Sequence, residues 1–236
     1  MQGSNQRAYD RGTTIFSPDG RLYQVEYARE AVKQGAPVVG VRGGDGVALA
    51  SHVAPRSPLV DDRSVEKLAT IDDHVAVGSA GHAADTRRLV DLARRRAQDE
   101  RVRYGEPATV DVLSTAVADH LQEYTQTGGA RPYGTALLVA GYDDEPRLFE
   151  IDPSGATREW RADAVGSGAG DAIERFENEY GDVADSEAAL ELALRGLEAA
   201  VDEFDVANVD AATVTESGYE VVSGERVAAA YENAAE

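Results

Sequence analysis

Hydrophobic positions recur along almost the whole chain, and their spacing changes from helical to extended several times. After a polar start, Leu22, Val25, Ala28 and Val32 repeat at helical spacing, and Gly35 followed by Pro37 supplies the stop. Before them, Ser17-Pro18-Asp19-Gly20 has turn chemistry, with proline pre-setting the second position. Residues 37–41 and 47–53 are β-rich runs around Gly43-Gly44-Asp45-Gly46, the pattern of a hairpin. A strand over 75–79 follows a loop that contains Asp72 and Asp73. Helical spacing then covers 83–102 and 110–125, broken at Tyr104-Gly105-Glu106-Pro107. Strands are predicted at 135–141, 147–151 and 158–162. Helices at 171–180 and 186–204, strands at 211–215 and 219–222, and a last helix at 225–231 complete the order. Paired helices between groups of hairpin strands disfavour a doubly wound parallel sheet. The expectation is an α+β sandwich of two antiparallel sheets covered by helices. No repeat or linker divides the 236 residues, so one domain over 1–236 is expected.

Composition narrows the function classes. No run approaches the roughly 18 apolar residues of a membrane helix, and the polar residues 1–10 lack a signal peptide's apolar stretch. A soluble protein of the cytoplasm is expected, with no membrane partner. With 42% hydrophobic residues, global disorder is excluded. The absence of cysteine removes disulfide, thiol and thiolate–metal chemistry together. Asp and Glu number 43 against 23 Lys and Arg, a net charge of −20 spread along the chain. Such a surface repels phosphate backbones, so nucleic acid is not an expected partner. Lys33 and Lys67 are the only lysines. Dense carboxylates with arginine replacing lysine suit a halophilic archaeal cytosol, and a retained lysine there is informative.

The candidate chemistry is sparse. His52, His74, His82 and His120 are far apart and form no metal-ligand spacing, so neither a metal nor another cofactor is expected. The glycine-rich stretches 165–171 and 78–82 match neither a dinucleotide loop nor a GxSxG elbow, and each is read as a strand-to-helix corner. Gly12-Thr13-Thr14 has the form of a junction that exposes an N-terminal threonine nucleophile. That chemistry needs a cation near the amine, and the stretch about thirty residues on, 41–46, holds no lysine. Thr13 as nucleophile of a threonine peptidase is therefore the secondary reading.

Three motifs carry a resemblance: Tyr9-Asp10-Arg11 with Phe16-Ser17-Pro18-Asp19-Gly20-Arg21-Leu22-Tyr23-Gln24-Val25-Glu26-Tyr27-Ala28, then Ser64-Val65-Glu66-Lys67, then Gly128-Gly129-Ala130-Arg131-Pro132-Tyr133-Gly134. Together they strongly resemble the α-type subunits of the archaeal proteasome core particle, over nearly the whole chain. The resemblance implies the N-terminal nucleophile hydrolase fold, a four-layer αββα sandwich, with an extra N-terminal helix over 21–35 lying across the cleft that is active in β subunits. It implies a non-catalytic subunit with no metal, in a heptameric ring with other α subunits, stacked on β subunits. Residues 1–16 would form a mobile gate segment, held open by Tyr9, Asp10, Arg11, Pro18 and Tyr27. Lys67, with Glu26 and Gly35, would dock a regulatory AAA ATPase of the proteasome-activating nucleotidase type by its terminal carboxylate. Thr127, Gly128 and Gly129 would line the pore through which unfolded protein substrates pass. His82 stands where the family carries an apolar residue beside the docking pocket, and Thr127 where it often carries tyrosine.

Overall fold

The computed structural model describes residues 16–53, 57, 59, 66–181 and 183–234. Helix α1 (Tyr23–Lys33) falls inside the expected helical stretch and buries Val25, Ala28 and Val32, three of the four positions that predicted it. Strands β1 (Val38–Arg42) and β2 (Gly46–His52) form the expected hairpin. Strands β3 (Leu68–Asp72) and β4 (Val75–Gly81) follow, then helices α2 (Ala83–Tyr104) and α3 (Val110–Gln126). Four strands come next: β5 (Thr135–Tyr142), β6 (Pro146–Ile151), β7 (Thr157–Glu159) and β8 (Ala162–Val165). Helices α4 (Ala169–Glu179) and α5 (Ser186–Ala199), strands β9 (Val209–Thr215) and β10 (Gly218–Val222), and helix α6 (Gly224–Ala234) close the order. The helix boundaries follow local chemistry. Gly105 takes a left-handed φ of 78° after α2, and the Thr109 and Asp185 side chains accept backbone N–H groups at the starts of α3 and α5.

The strands form two five-stranded antiparallel sheets, ordered β10-β9-β2-β1-β8 and β3-β4-β5-β6-β7. Alternation along each strand sends neighbouring residues to opposite layers. In β5, Leu137 and Val139 meet Leu89, Val117 and Leu121 of α2 and α3, while Leu138 and Ala140 enter the layer between the sheets. In β1, Val39 and Val41 meet Leu190, Leu194 and Leu197 of α5, and Val38 turns inward. Val32 of α1 joins the inter-sheet cluster, so the N-terminal helix closes one end of that layer. The result is the four-layer αββα sandwich with an added N-terminal helix.

Three expectations need correction. The stretch before Val75, expected to be loop, is strand β3, paired from Leu68 against Gly78 with a register shift between Thr70 and Asp72. That irregularity and the Asp72-Asp73 turn hide the strand's alternation. The single strand expected at 158–162 is two short strands in different sheets. Trp160 N–H donates to the Leu148 carbonyl of β6 (2.9 Å), while the next carbonyl, Arg161, accepts from Arg42 N–H of β1 (2.8 Å). One continuous extended run thus crosses from one sheet to the other. Helix α5 also stops at Ala199, five residues before the expected Phe204, which packs on His52 and Tyr231 instead.

Candidate functional site

The turn before α1 is built by its first serine. Gly20 N–H donates to the Ser17 carbonyl (2.8 Å), Arg21 N–H donates to Ser17 Oγ (3.0 Å), and Ser17 N–H donates to the Arg21 carbonyl (2.9 Å). Ser17 is buried, while Pro18 at the tip is exposed. The Ser17 hydroxyl and a backbone N–H hold the Asp19 carboxyl below its usual pKa. Arg21 lies 3.5 Å from Asp19 and 3.7 Å from Glu26, joining the turn to the first turn of α1. Tyr27, half exposed, follows on the helix. Tyr9, Asp10, Arg11 and Thr13 lie outside the described residues.

At the other end of α1 the backbone makes an unusually close approach. A Cβ on Gly35 would clash with the Gly81 backbone nitrogen, and Gly81 itself takes φ +115°. Gly35 is also tied to the β8–α4 corner, since Ser167 N–H donates to its carbonyl (2.9 Å). Lys67 flanks the same strand end: its carbonyl accepts from Ser79 N–H (3.1 Å), two residues before Gly81 in β4. His82 comes next, exposed at the start of α2, with its N–H on the Gly134 carbonyl (2.9 Å) and its ring against Gly134. Gly35, half-buried Lys67 and His82 therefore converge on the end of β4. Glu26 does not join them within one chain. It sits nine residues before Gly35, about 13 Å along the helix, beside Arg21.

Loop 127–129 projects from the end of α3. Thr127 Oγ1 donates to the Glu123 carbonyl (2.9 Å), Gly129 takes φ +86°, and Gly128 and Gly129 have open space around them. The base of the loop is fixed by a contact that the residue pattern does not signal. Arg131 forks onto buried Asp85 of α2 (2.6 and 2.8 Å), and Gly134 N–H donates to the same carboxylate (2.8 Å). Burial works to raise the Asp85 pKa, but these hydrogen bonds outweigh it and hold the carboxyl ionised. A second unsignalled contact pins α1: Arg29 Nε and Nη2 each lie 2.9 Å from an oxygen of Asp152, after β6. Both ion pairs join residues far apart in sequence, so no local spacing marks them.

The histidines are dispersed, as their spacing predicts. His52 Nε2 accepts from Asp205 N–H (3.3 Å), His74 bonds the Ala108 carbonyl (2.9 Å), and His120 meets the Tyr133 hydroxyl (3.1 Å). Each of these three has a structural partner. The stretches 78–82 and 165–171 are both strand-to-helix corners, at β4–α2 and β8–α4.

Comparison with known proteins fits this geometry. Residues 32–214 match the proteasome subunit family, and residues 9–31 match the N-terminal signature of A-type proteasome subunits. The signature spans Thr13, the Ser17–Gly20 turn and most of α1, so a β-type reading of Thr13 is not favoured. The chain is 58% identical over 217 residues to proteasome subunit alpha 2 of Haloarcula marismortui, covering 91% of this chain and 88% of that protein. It is 59% identical over 199 residues to proteasome subunit alpha of Halobacterium salinarum, covering 84% and 79%. It is 52% identical over 235 residues to the corresponding subunit of Natronomonas pharaonis, covering 97% and 92%. These relatives are haloarchaeal, in keeping with the acidic, arginine-rich composition. The fold, the N-terminal signature and these relatives place the chain in the proteasome subunit family, on its α-type branch.

Proposed function

We propose that the chain is a non-catalytic gating subunit of a proteasome core particle in the cytoplasm. It would sit in a heptameric α ring on β subunits, admit unfolded protein substrates and dock a regulatory AAA ATPase. The observation that supports this reading best is the convergence of Gly35, Lys67 and His82 on the end of β4, beside a helix whose Val32 fills the end of the inter-sheet layer. Val32 of α1 would thereby fill the end of the cleft that is active in β subunits.

An ammonium at the mouth of such a pocket suits a terminal carboxylate. One charge-assisted hydrogen bond is worth about 1.5–3 kcal/mol, and several tails docking on one ring multiply its effect. Glu26, remote from Gly35 within one chain, would complete the pocket from the neighbouring subunit. The Pro18 turn and Tyr27, coupled through Asp19, Arg21 and Glu26, would set where the gate segment 1–16, with Tyr9, Asp10 and Arg11, leaves the ring. Loop 127–129, exposed and anchored by Arg131 on Asp85, would form the pore rim, with glycines permitting close backbone approach.

The test is Lys67→Ala in particles assembled with β subunits. ATPase-stimulated protein degradation should be lost, with each contact weakened about 10- to 150-fold, while ring assembly and unstimulated cleavage of small peptides persist. Lys67→Arg, which keeps the charge but changes its shape, should be impaired less. Wild-type co-sedimentation of both variants with the ATPase would place the docking site elsewhere.

A further inference from the structure

The Arg29–Asp152 pair is more than a surface ion pair. Arg29 presents a fork that meets both carboxylate oxygens, the geometry that makes such a contact directional. The Asp152 side chain is only 14% exposed, and Oδ1 also accepts from Ser154 N–H (2.9 Å). Burial works against its ionised form, and Arg29 together with Ser154 outweighs it, holding the carboxyl below its usual range. A largely dehydrated carboxylate does not give up its guanidinium cheaply. Helix α1 is thus fixed to the sandwich twice: at Gly35 against Gly81, and, six residues and about 9 Å earlier, at Arg29 against Asp152.

The turn that carries Asp152 rests in its turn on α3. Gly155 takes φ +83°, and a Cβ there would lie 2.6 Å from the Ala118 carbonyl oxygen and 2.8 Å from Gln122 N. Gln122, Thr125 and Gln126, with Phe16, Leu22 and Ser154, line a hollow of about 480 Å³ between the end of α3 and the start of α1. Loop 127–129 begins at the next residue. A contiguous set of close contacts therefore runs from Gly35 along α1, across Arg29 and Asp152, and over the 152–155 turn to Ala118 and Gln122 of α3, about one helical turn before its loop.

We infer that Arg29 and Asp152 are positioning residues which make α1, the 152–155 turn and the end of α3 move as one body, so that displacement of α1 at its Gly35 end shifts the pore loop as well as the Pro18 turn. This rests on the proposed docking at Lys67 and adds a second route from that site to the pore. The pair would stay closed as α1 moves, and its work is to transmit that movement.

The experiment uses core particles assembled with β subunits and the regulatory ATPase, measuring ATPase affinity by co-sedimentation and stimulation of small-peptide cleavage separately. Arg29→Ala and Asp152→Ala should each leave ATPase affinity near wild type and lower stimulation about fivefold or more, the low end of ordinary coupling between sites. Arg29→Lys, which keeps the charge without the fork, should fall between. The exchange Arg29→Asp with Asp152→Arg should restore part of the stimulation, giving a non-additive double-mutant cycle. Wild-type stimulation in the single variants, equal loss in the exchanged pair, or loss of ATPase affinity or assembly in the single variants would each overturn the inference. Lys67→Ala, run beside them, separates the two readings. If it binds the ATPase normally the docking reading fails, whereas if it does not and Arg29→Ala responds as wild type, only the coupling fails.

Discussion

Asp163 offers a direct thermodynamic test of the sandwich interior. It lies on β8 opposite Gly40 of β1, 3% exposed, and faces the layer between the sheets. Its Oδ2 has no hydrogen-bond partner among the described residues. Burial, with Glu150 of β6 adding repulsion, raises its pKa from 3.8 to about 7, against smaller opposing effects of the Ala164 N–H and Arg158. The folded chain therefore holds a proton that the unfolded chain releases near pH 4. The resulting stability is fully present below 3.8 and is lost as pH rises towards 7. At about 1.4 kcal/mol per pH unit, the whole interval corresponds to about 4 kcal/mol, a large share of a typical domain's stability. Asp163→Asn keeps the shape and removes the ionisation. Denaturant unfolding of wild type and variant in molar potassium chloride should give curves whose difference grows in the variant's favour by about 2 kcal/mol between pH 5 and 7, then levels off. Titrating groups not coupled to Asp163 cancel in that difference. Parallel stability curves across this range would refute a neutral, buried Asp163.

Two further outcomes follow from the same packing and charge. Gly35→Ala should destabilise the chain by about 1–3 kcal/mol, because the added methyl meets the Gly81 backbone and not a flexible side chain; it should also weaken ATPase binding with Lys67 intact, measured by thermal unfolding and co-sedimentation. With a net charge of −20, subunit packing should depend on screening, whose length is about 3 Å at 1 M salt and about 10 Å at 0.1 M. Dilution of salt should dissociate assembled rings before circular dichroism shows loss of helix, and rings intact for days in dilute buffer would contradict this.

Much of the architecture can be read along the chain because its determinants are local. Val25, Ala28 and Val32 repeat on one face, Gly105 ends α2, and Gly43–Gly46 turns β1 into β2, each within a few residues. What fails to show is non-local. Strand β3 hides behind a register shift whose meaning depends on its partner β4. The crossing at Trp160–Arg161 is invisible because both halves are extended and only their partners, Leu148 and Arg42, differ. The site divides the same way. Gly35 and Lys67 are marked by motif resemblance, and their convergence on β4 emerges only once the strand is placed. The contacts that fix the loop and the helix, Arg131 with Asp85 and Arg29 with Asp152, bridge 46 and 123 residues, and in a chain this rich in arginine and carboxylates no pairing stands out from the rest.

The strand crossing at Trp160–Arg161 bears on how copies of this chain can meet. An open sheet edge invites another chain to add a strand through unpaired backbone groups, the usual origin of runaway association. On one side of this sandwich β7 passes directly into β8, stitching the two sheets together through the chain itself. On the other side Tyr219 N–H at the start of β10 is taken by the Asp73 carbonyl beside β3 (2.8 Å). Both margins are thus partly hemmed by the molecule's own backbone. Recognition between subunits is left to side chains, helices and loops, whose charges respond to salt, and not to the indiscriminate ladder of the peptide group. In the proposed ring, ion content would then set assembly, with the hemmed margins opposing fibre-like stacking.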